Sequence, residues 1–177
     1  MPRIPYAAED DPRIGALIAS IRARRNGTLI NLDRMLLHSP PYAEGWNTML
    51  GAVRRKLDLD PQVRELAICT VAKITGAKYE WFQHAPEYLA AGGPQAKLDL
   101  LEDVDAAARD PRLTERERAA VGLAAEMTRS VQVADPTLKR AQALFGDRQL
   151  VELVGTIATY NMVARFLEAL GIDERGE

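Results

Sequence analysis

The sequence is poorest in the residues that build covalent and metallic frameworks. It has one cysteine, Cys69, and two histidines, His38 and His84. A lone thiol cannot close a disulfide within a subunit, so a disulfide scaffold and dithiol chemistry inside one chain are both excluded. One cysteine and two histidines also fall short of a structural zinc site of thiolates and imidazoles, and no metal is expected. Excess charge of either sign is missing: 23 Lys and Arg stand against 25 Asp and Glu, for a net charge of −2. That removes the basic surface on which nucleic-acid binding depends. No apolar run approaches the roughly 18 residues of a membrane span. No apolar stretch follows a basic start, so no signal peptide is visible. The expectations are therefore no nucleic acid, no membrane, and the cytoplasm. Strand-period alternation long enough for a sheet is lacking too.

Helix signals are abundant. Asp11-Pro12, Ser39-Pro40, Asp60-Pro61 and Asp135-Pro136 each set a capping oxygen before a proline. The cap accepts orphan backbone N–H groups, and proline at the first helical position has none to orphan. Thr114 with Glu117 reads as a capping box, and Asp147 as a sixth start. Ile14, Leu17, Ile18 and Ile21 share a helical face, as do Tyr42, Trp46, Met49 and Val53. From Leu66 to Ile74 the chain is apolar nearly all round, the pattern of a central buried helix. Gly76 ends it, and a second helix runs from about Ala77 to Ala91, with Pro86 expected to kink it. Helices near 114–130, 136–145 and 148–170 follow. The polar segment 93–112 reads as a hinge between helical layers, with a short helix around 96–108. A faint echo links Leu59–Val71 with Leu113–Ala125, which leaves duplication and chance both open. With 177 residues, 47% apolar, the chain is expected to form one all-α domain over 1–177. That domain is a layer-packed bundle of six to eight helices with an irregular arm at 1–10.

Polar residues inside apolar helices carry the chemistry, since burial without a partner costs a few kcal/mol. Glu65 sits one turn into the central helix, where the helix dipole alone also accounts for it. Glu80 and His84 are spaced i, i+4 and share a face. A carboxylate there raises the imidazole's proton affinity and fixes its tautomer; the bland alternative is a surface ion pair. Their neighbours Tyr79, Trp81, Phe82 and Tyr88 are too aromatic for a plain surface. Tyr160, Asn161 and Arg165 interrupt the last helix. Arg165 is placed to take a carboxylate in its fork, or to pair with Glu168 or helix-end carbonyls. His38 reads as a capping or core histidine, with a catalytic role as the sharper alternative. Trp46, Met49 and Met162 read as core. Arg22, Arg24 and Arg25 read as cations at a helix C-terminus.

The run Arg64-Glu65-Leu66-Ala67-Ile68, followed by Gly76-Ala77-Lys78-Tyr79-Glu80-Trp81-Phe82-Gln83-His84-Ala85, resembles the core motif of carboxymuconolactone decarboxylase-like proteins. That superfamily also holds the AhpD-type alkylhydroperoxidases. The resemblance extends upstream to Leu37-His38-Ser39-Pro40 and downstream to Tyr160-Asn161-Met162-Val163-Ala164-Arg165-Phe166, covering about residues 28 to 172. In the peroxidase branch a glutamate precedes a C-x-x-C and a histidine. Here Ala77 and Glu80 occupy the two sulfur positions, while Glu65 and His84 match the glutamate and the histidine. Cys69, in an apolar setting, is expected to be a poor nucleophile.

The resemblance implies an AhpD-like fold, a homo-oligomer (trimer or hexamer), and a pocket between helices 61–75 and 77–91. It further implies a cofactor-free acid–base enzyme, a decarboxylase-like carbon–carbon lyase or isomerase, acting on a small organic acid or lactone. His84, Glu65 and Glu80 would be its catalytic residues. Arg165, Tyr79, Trp81, Tyr160, Asn161 and His38 would bind substrate. Two carboxylates beside His84 are expected to hold it above the ordinary imidazole value of about 6.5. The alternatives are an antioxidant hydroperoxidase working through a partner thiol, and a non-catalytic binding or scaffold protein.

Overall fold

The computed structural model describes residues 1–173; residues 174–177 of the expected domain lie outside the described residues. Among the described residues every regular element is helical and no strand occurs. The α-helices are α1 (Gly15–Arg24), α2 (Asn31–Leu36), α3 (Pro40–Arg55), α4 (Pro61–Thr75), α5 (Lys78–Ala90), α6 (Gln95–Asp99), α7 (Val104–Ala107), α8 (Glu115–Arg129) and α9 (Asp135–Leu170). Short 3-10 turns occupy Pro12–Ile14 and Leu100–Asp103.

The start signals act unequally. Asp60 accepts the N–H groups of Gln62 and Val63 at the head of α4, and Thr114 closes a capping box with Glu117 on α8. Asp11 caps only the 3-10 turn that precedes α1. Ser39 occupies the N-cap of α3 without a side-chain bond. Asp135 is itself the first residue of α9. Gly146, with φ 67° and ψ 176°, breaks α9 where the sequence separates two helices. Pro86 does not end α5, which runs on to Ala90. The short helix α2 carries no sequence signal of its own. It is held at its start by Asp33, whose carboxylate accepts the Ile30 N–H at 3.2 Å.

The chain divides into two compact units, Met1–Lys56 with the residues from Leu167 onward, and Leu57–Phe166. The first has a core of Ile18, Ile21 and Leu37. Arg24 ends α1 and Arg25 caps it, cations at a helix C-terminus as expected, and both also pair with buried Asp33, at 3.2 and 2.6 Å. Trp46 is buried, but Met49 is exposed rather than core. The N-terminal arm is irregular yet pinned, Arg3 N–H to the Leu170 carbonyl and Ala7 N–H to that of Arg34.

The second unit is organised by α4, in which every residue from Glu65 to Ala72 is buried. It packs against α5 and α8. The echo between Leu59–Val71 and Leu113–Ala125 thus falls on the two helices, α4 and α8, that pack face to face. The segment 93–112 is not a hinge. Leu98, Leu101, Val104 and Ala107 share a core cluster with Leu66, Cys69, Tyr88, Leu113 and Val121. One apolar residue per turn sufficed to bury it, too sparse a pattern to stand out among its charges. By length and composition α9 does reach the measure of a membrane span, which corrects the expectation that no such stretch exists. Its apolar residues Leu153, Ile157 and Tyr160 are fully buried in the protein, the use a core helix makes of them.

Candidate active site

The site forms where α5 runs beside α4. Gly76 stops α4 in a left-handed turn, and α5 starts two residues later and returns along it. Three polar residues on α5, spaced by four, then face inward: Glu80, His84 and Tyr88 are all buried. From α4 come Glu65 and Cys69, also four apart.

The closest contact joins the two helices. His84 Nδ1 lies 2.6 Å from Glu65 Oε2, with both side chains 4% exposed. Glu65 Oε1 accepts from Arg64 Nε at 3.0 Å. Burial pushes the proton affinity of Glu65 up. The hydrogen bond and charge of His84, then Arg64, pull it down further, and the carboxyl ends below its ordinary value. An ionised Glu65 is an acceptor only, so His84 Nδ1 is the donor. The ring of Tyr160, from α9, meets the His84 ring edge to face, with centroids 4.7 Å apart and planes at 82°. The imidazole is thus fixed in tautomer by a carboxylate and in orientation by an aromatic wall.

Burial pushes the Cys69 thiol far up, and the charges of Glu65 and Glu80 add to the effect against a weaker pull from Lys73. Of the two vacated sulfur positions, Ala77 is fully buried and Glu80 nearly so. A polar seam of carboxylate, imidazole and neutral thiol can store and pass a proton; it cannot present a thiolate.

The carboxymuconolactone decarboxylase family model matches residues 40–126, which include α4, α5 and the Glu65–His84 pair. Over that span the chain is similar to the carboxymuconolactone decarboxylase family. Solved structures agree on the fold. A peroxidase-related protein from Silicibacter sp. TM1040 has a TM-score of 0.80 at 18% identity, covering 99% of this chain and 94% of its own. A protein from Agrobacterium tumefaciens, described as a candidate antioxidant-defence AhpD, has a TM-score of 0.71 at 20% identity, covering 80% and 95%. The debrominase Bmp8, in complex with 2,3,4-tribromopyrrole, has a TM-score of 0.78 at 13% identity, covering 97% and 90%. At these identities the likeness speaks for the AhpD-like fold alone. No curated protein matches the sequence.

The other expected residues are placed as follows. Tyr79 is buried. Trp81 packs on the core cluster, with Lys73 Nζ 4.1 Å above its ring. Asn161 donates to Thr128 Oγ1 at 3.0 Å and to the Ile157 carbonyl at 3.1 Å. Arg165 is exposed and reaches back one turn, its Nη1 donating to Asn161 O at 2.8 Å and Oδ1 at 2.7 Å. His38 belongs to the other unit, is exposed, and holds the Pro5 carbonyl through Nε2 at 2.7 Å; it is not a core histidine. Sequence reasoning passed over Arg64. Residues i and i+1 do not share a helix face, so no spacing argument links Arg64 to Glu65.

Proposed function

We propose that this protein is a cofactor-free acid–base enzyme, decarboxylase-like, acting on a small organic acid or lactone. The observation that carries the reading is the buried Glu65–His84 contact at 2.6 Å. Loss of CO2 breaks a carbon–carbon bond and leaves its electron pair on a dienolate. A positioned acid must then protonate carbon. His84 is that acid, with Glu65 on Nδ1 stabilising the imidazolium, as a carboxylate behind an imidazole does. Glu80, buried one turn away on the same face, resupplies the proton. Tyr79, Trp81 and Tyr160 are the side chains this reading assigns to the substrate's surroundings. A homo-oligomer in the cytoplasm is the expected setting.

The thiol-dependent alternative needs an exposed Cys69 of low pKa; Cys69 is fully buried and pushed upward. The scaffold alternative is favoured by a closed pocket with Glu65 merely capping; Glu65 and His84 are nearly closed to solvent, but the cap is Asp60 and Glu65 is bonded to His84.

The test is a panel of small carboxylated lactones and unsaturated acids in D2O, following CO2 release and deuterium incorporation at carbon. Turnover by the native protein and a loss of about a hundredfold or more in His84→Gln are expected, the usual worth of a general acid. Turnover indifferent to His84→Gln, or none on the panel, defeats the proposal.

A further inference from the structure

An acid–base site for an organic acid needs a cation to hold the carboxylate that stays on the substrate. Arg165 is the cation suggested by sequence, and it is turned back on Asn161. Arg64 is the cation that adjoins the pair.

Among the described residues the Arg64 side chain has a single acceptor, Glu65 Oε1, which it meets through Nε. Its terminal N–H groups, the edge that binds a carboxylate bidentately, have no protein acceptor. Yet the side chain is only 15% exposed. The terminal nitrogens are not among the fully buried side-chain atoms that lack a partner, so the fork reaches solvent, where a ligand can meet it. The echo between α4 and α8 supplies an internal comparison. Arg118, one turn past the cap of α8 as Arg64 is of α4, folds back onto the carbonyls of Asp110 and Leu113. Arg64 has the same local opportunity and instead lies along Glu65.

We propose that Arg64 is the anion anchor of this site: its Nε holds Glu65, and its terminal N–H fork takes a carboxylate of the ligand. The inference rests on the acid–base reading and assigns its missing cation. Glu65 then bridges the anchor and the acid, with Arg64 on Oε1 and His84 on Oε2. A carboxylate on the fork lies beside the imidazole and favours its protonated form. Binding thereby loads the acid. Glu80 lies near enough to Cys69 for its charge to act on that thiol.

The experiment uses acetate and succinate as probes and sodium chloride as the ionic-strength control, with the side-chain NMR signals of His84 as readout. Saturable shifts with the carboxylates and none with chloride are expected. Affinity falls about tenfold or more in Arg64→Gln, the scale of one charge-assisted bidentate pair. It falls less in Arg64→Lys, which keeps the charge without the fork. It holds in Arg165→Gln. Equal binding by the native protein and Arg64→Gln overturns the proposal, as do loss in Arg165→Gln alone and absence of any saturable shift. If Arg64→Gln does not fold, the Arg64→Lys comparison decides by the same criterion. Anion-free samples of native protein and Glu65→Gln separate the two readings. If His84 titration responds to Glu65→Gln while carboxylates do not bind, only the anchor is rejected. If it does not respond, the acid–base pair itself is.

Discussion

Glu65 shows how far one residue's chemistry depends on its contacts. A carboxylate this buried would ordinarily be held protonated, at a cost of several kcal/mol for the charged form. Here His84 and Arg64 each take one oxygen, and the carboxyl sits below its ordinary value. A carboxyl lowered by folding stabilises the protein above its unfolded value, and that contribution is lost as pH falls through the lowered one. Glu65→Gln cannot ionise and lacks this dependence. It should cost about 1–3 kcal/mol near neutrality, as a buried charged hydrogen bond lost does. The difference from native should shrink below about pH 4, the ordinary carboxylate range. Thermal unfolding of both proteins from acid to neutral pH measures this; a constant difference across the range would mean that Glu65 carries no lowered pKa. The identities of Glu65 and His84 as a pair were legible in the sequence only through the family motif. Nineteen residues separate them, and no periodicity argument bridges two helices.

At the scale of elements, α5 depends on a residue outside it. Tyr88, fully buried, lays its ring against the backbone of Gly93. A methyl group there would stand 2.2 Å from Tyr88 Cζ. Gly93→Ala must therefore displace the ring that packs α5 on Leu66 and Cys69, and it should destabilise by about 1–3 kcal/mol or more, as overpacking does. Chemical denaturation tests it; a change under about 0.5 kcal/mol would show that the ring yields freely. Among the described residues the tyrosine's own hydroxyl has no hydrogen-bond partner, and burial, with the nearby Glu117 and Cys69, pushes it up to about 12. Helices were legible where a local signal exists: the Asp60 and Thr114 caps, the Gly76 stop, the Gly146 break. They were not legible where tertiary contacts substitute for one. Helix α2 starts on Asp33, held in turn by Arg24 and Arg25 from α1.

On the whole-molecule scale, large apolar side chains remain on the outside. Phe82 and Leu89 on α5 and Val151 on α9 are 53%, 42% and 71% exposed. Scattered exposed residues are ordinary in a monomer; Phe82 and Leu89 lie two turns apart on one face of α5. A homo-oligomer is expected, and light scattering at micromolar concentration checks it; a monomer would remove the expectation. The sequence by itself determined the class of the protein: helical, without disulfides, and with no thiol pair in the family's two sulfur positions. Those are properties of composition, spacing and motif, which survive without coordinates. The tertiary structure decided which polar residues meet. It joined Glu65 to His84, brought Arg64 to that pair, and turned Arg165 away onto Asn161. It also packed 93–112 into a core instead of leaving it a hinge. The physical reason is one of range. Caps, stops and helical faces are set within a turn or two of chain. A buried charge finds its partner only when another helix is laid against it.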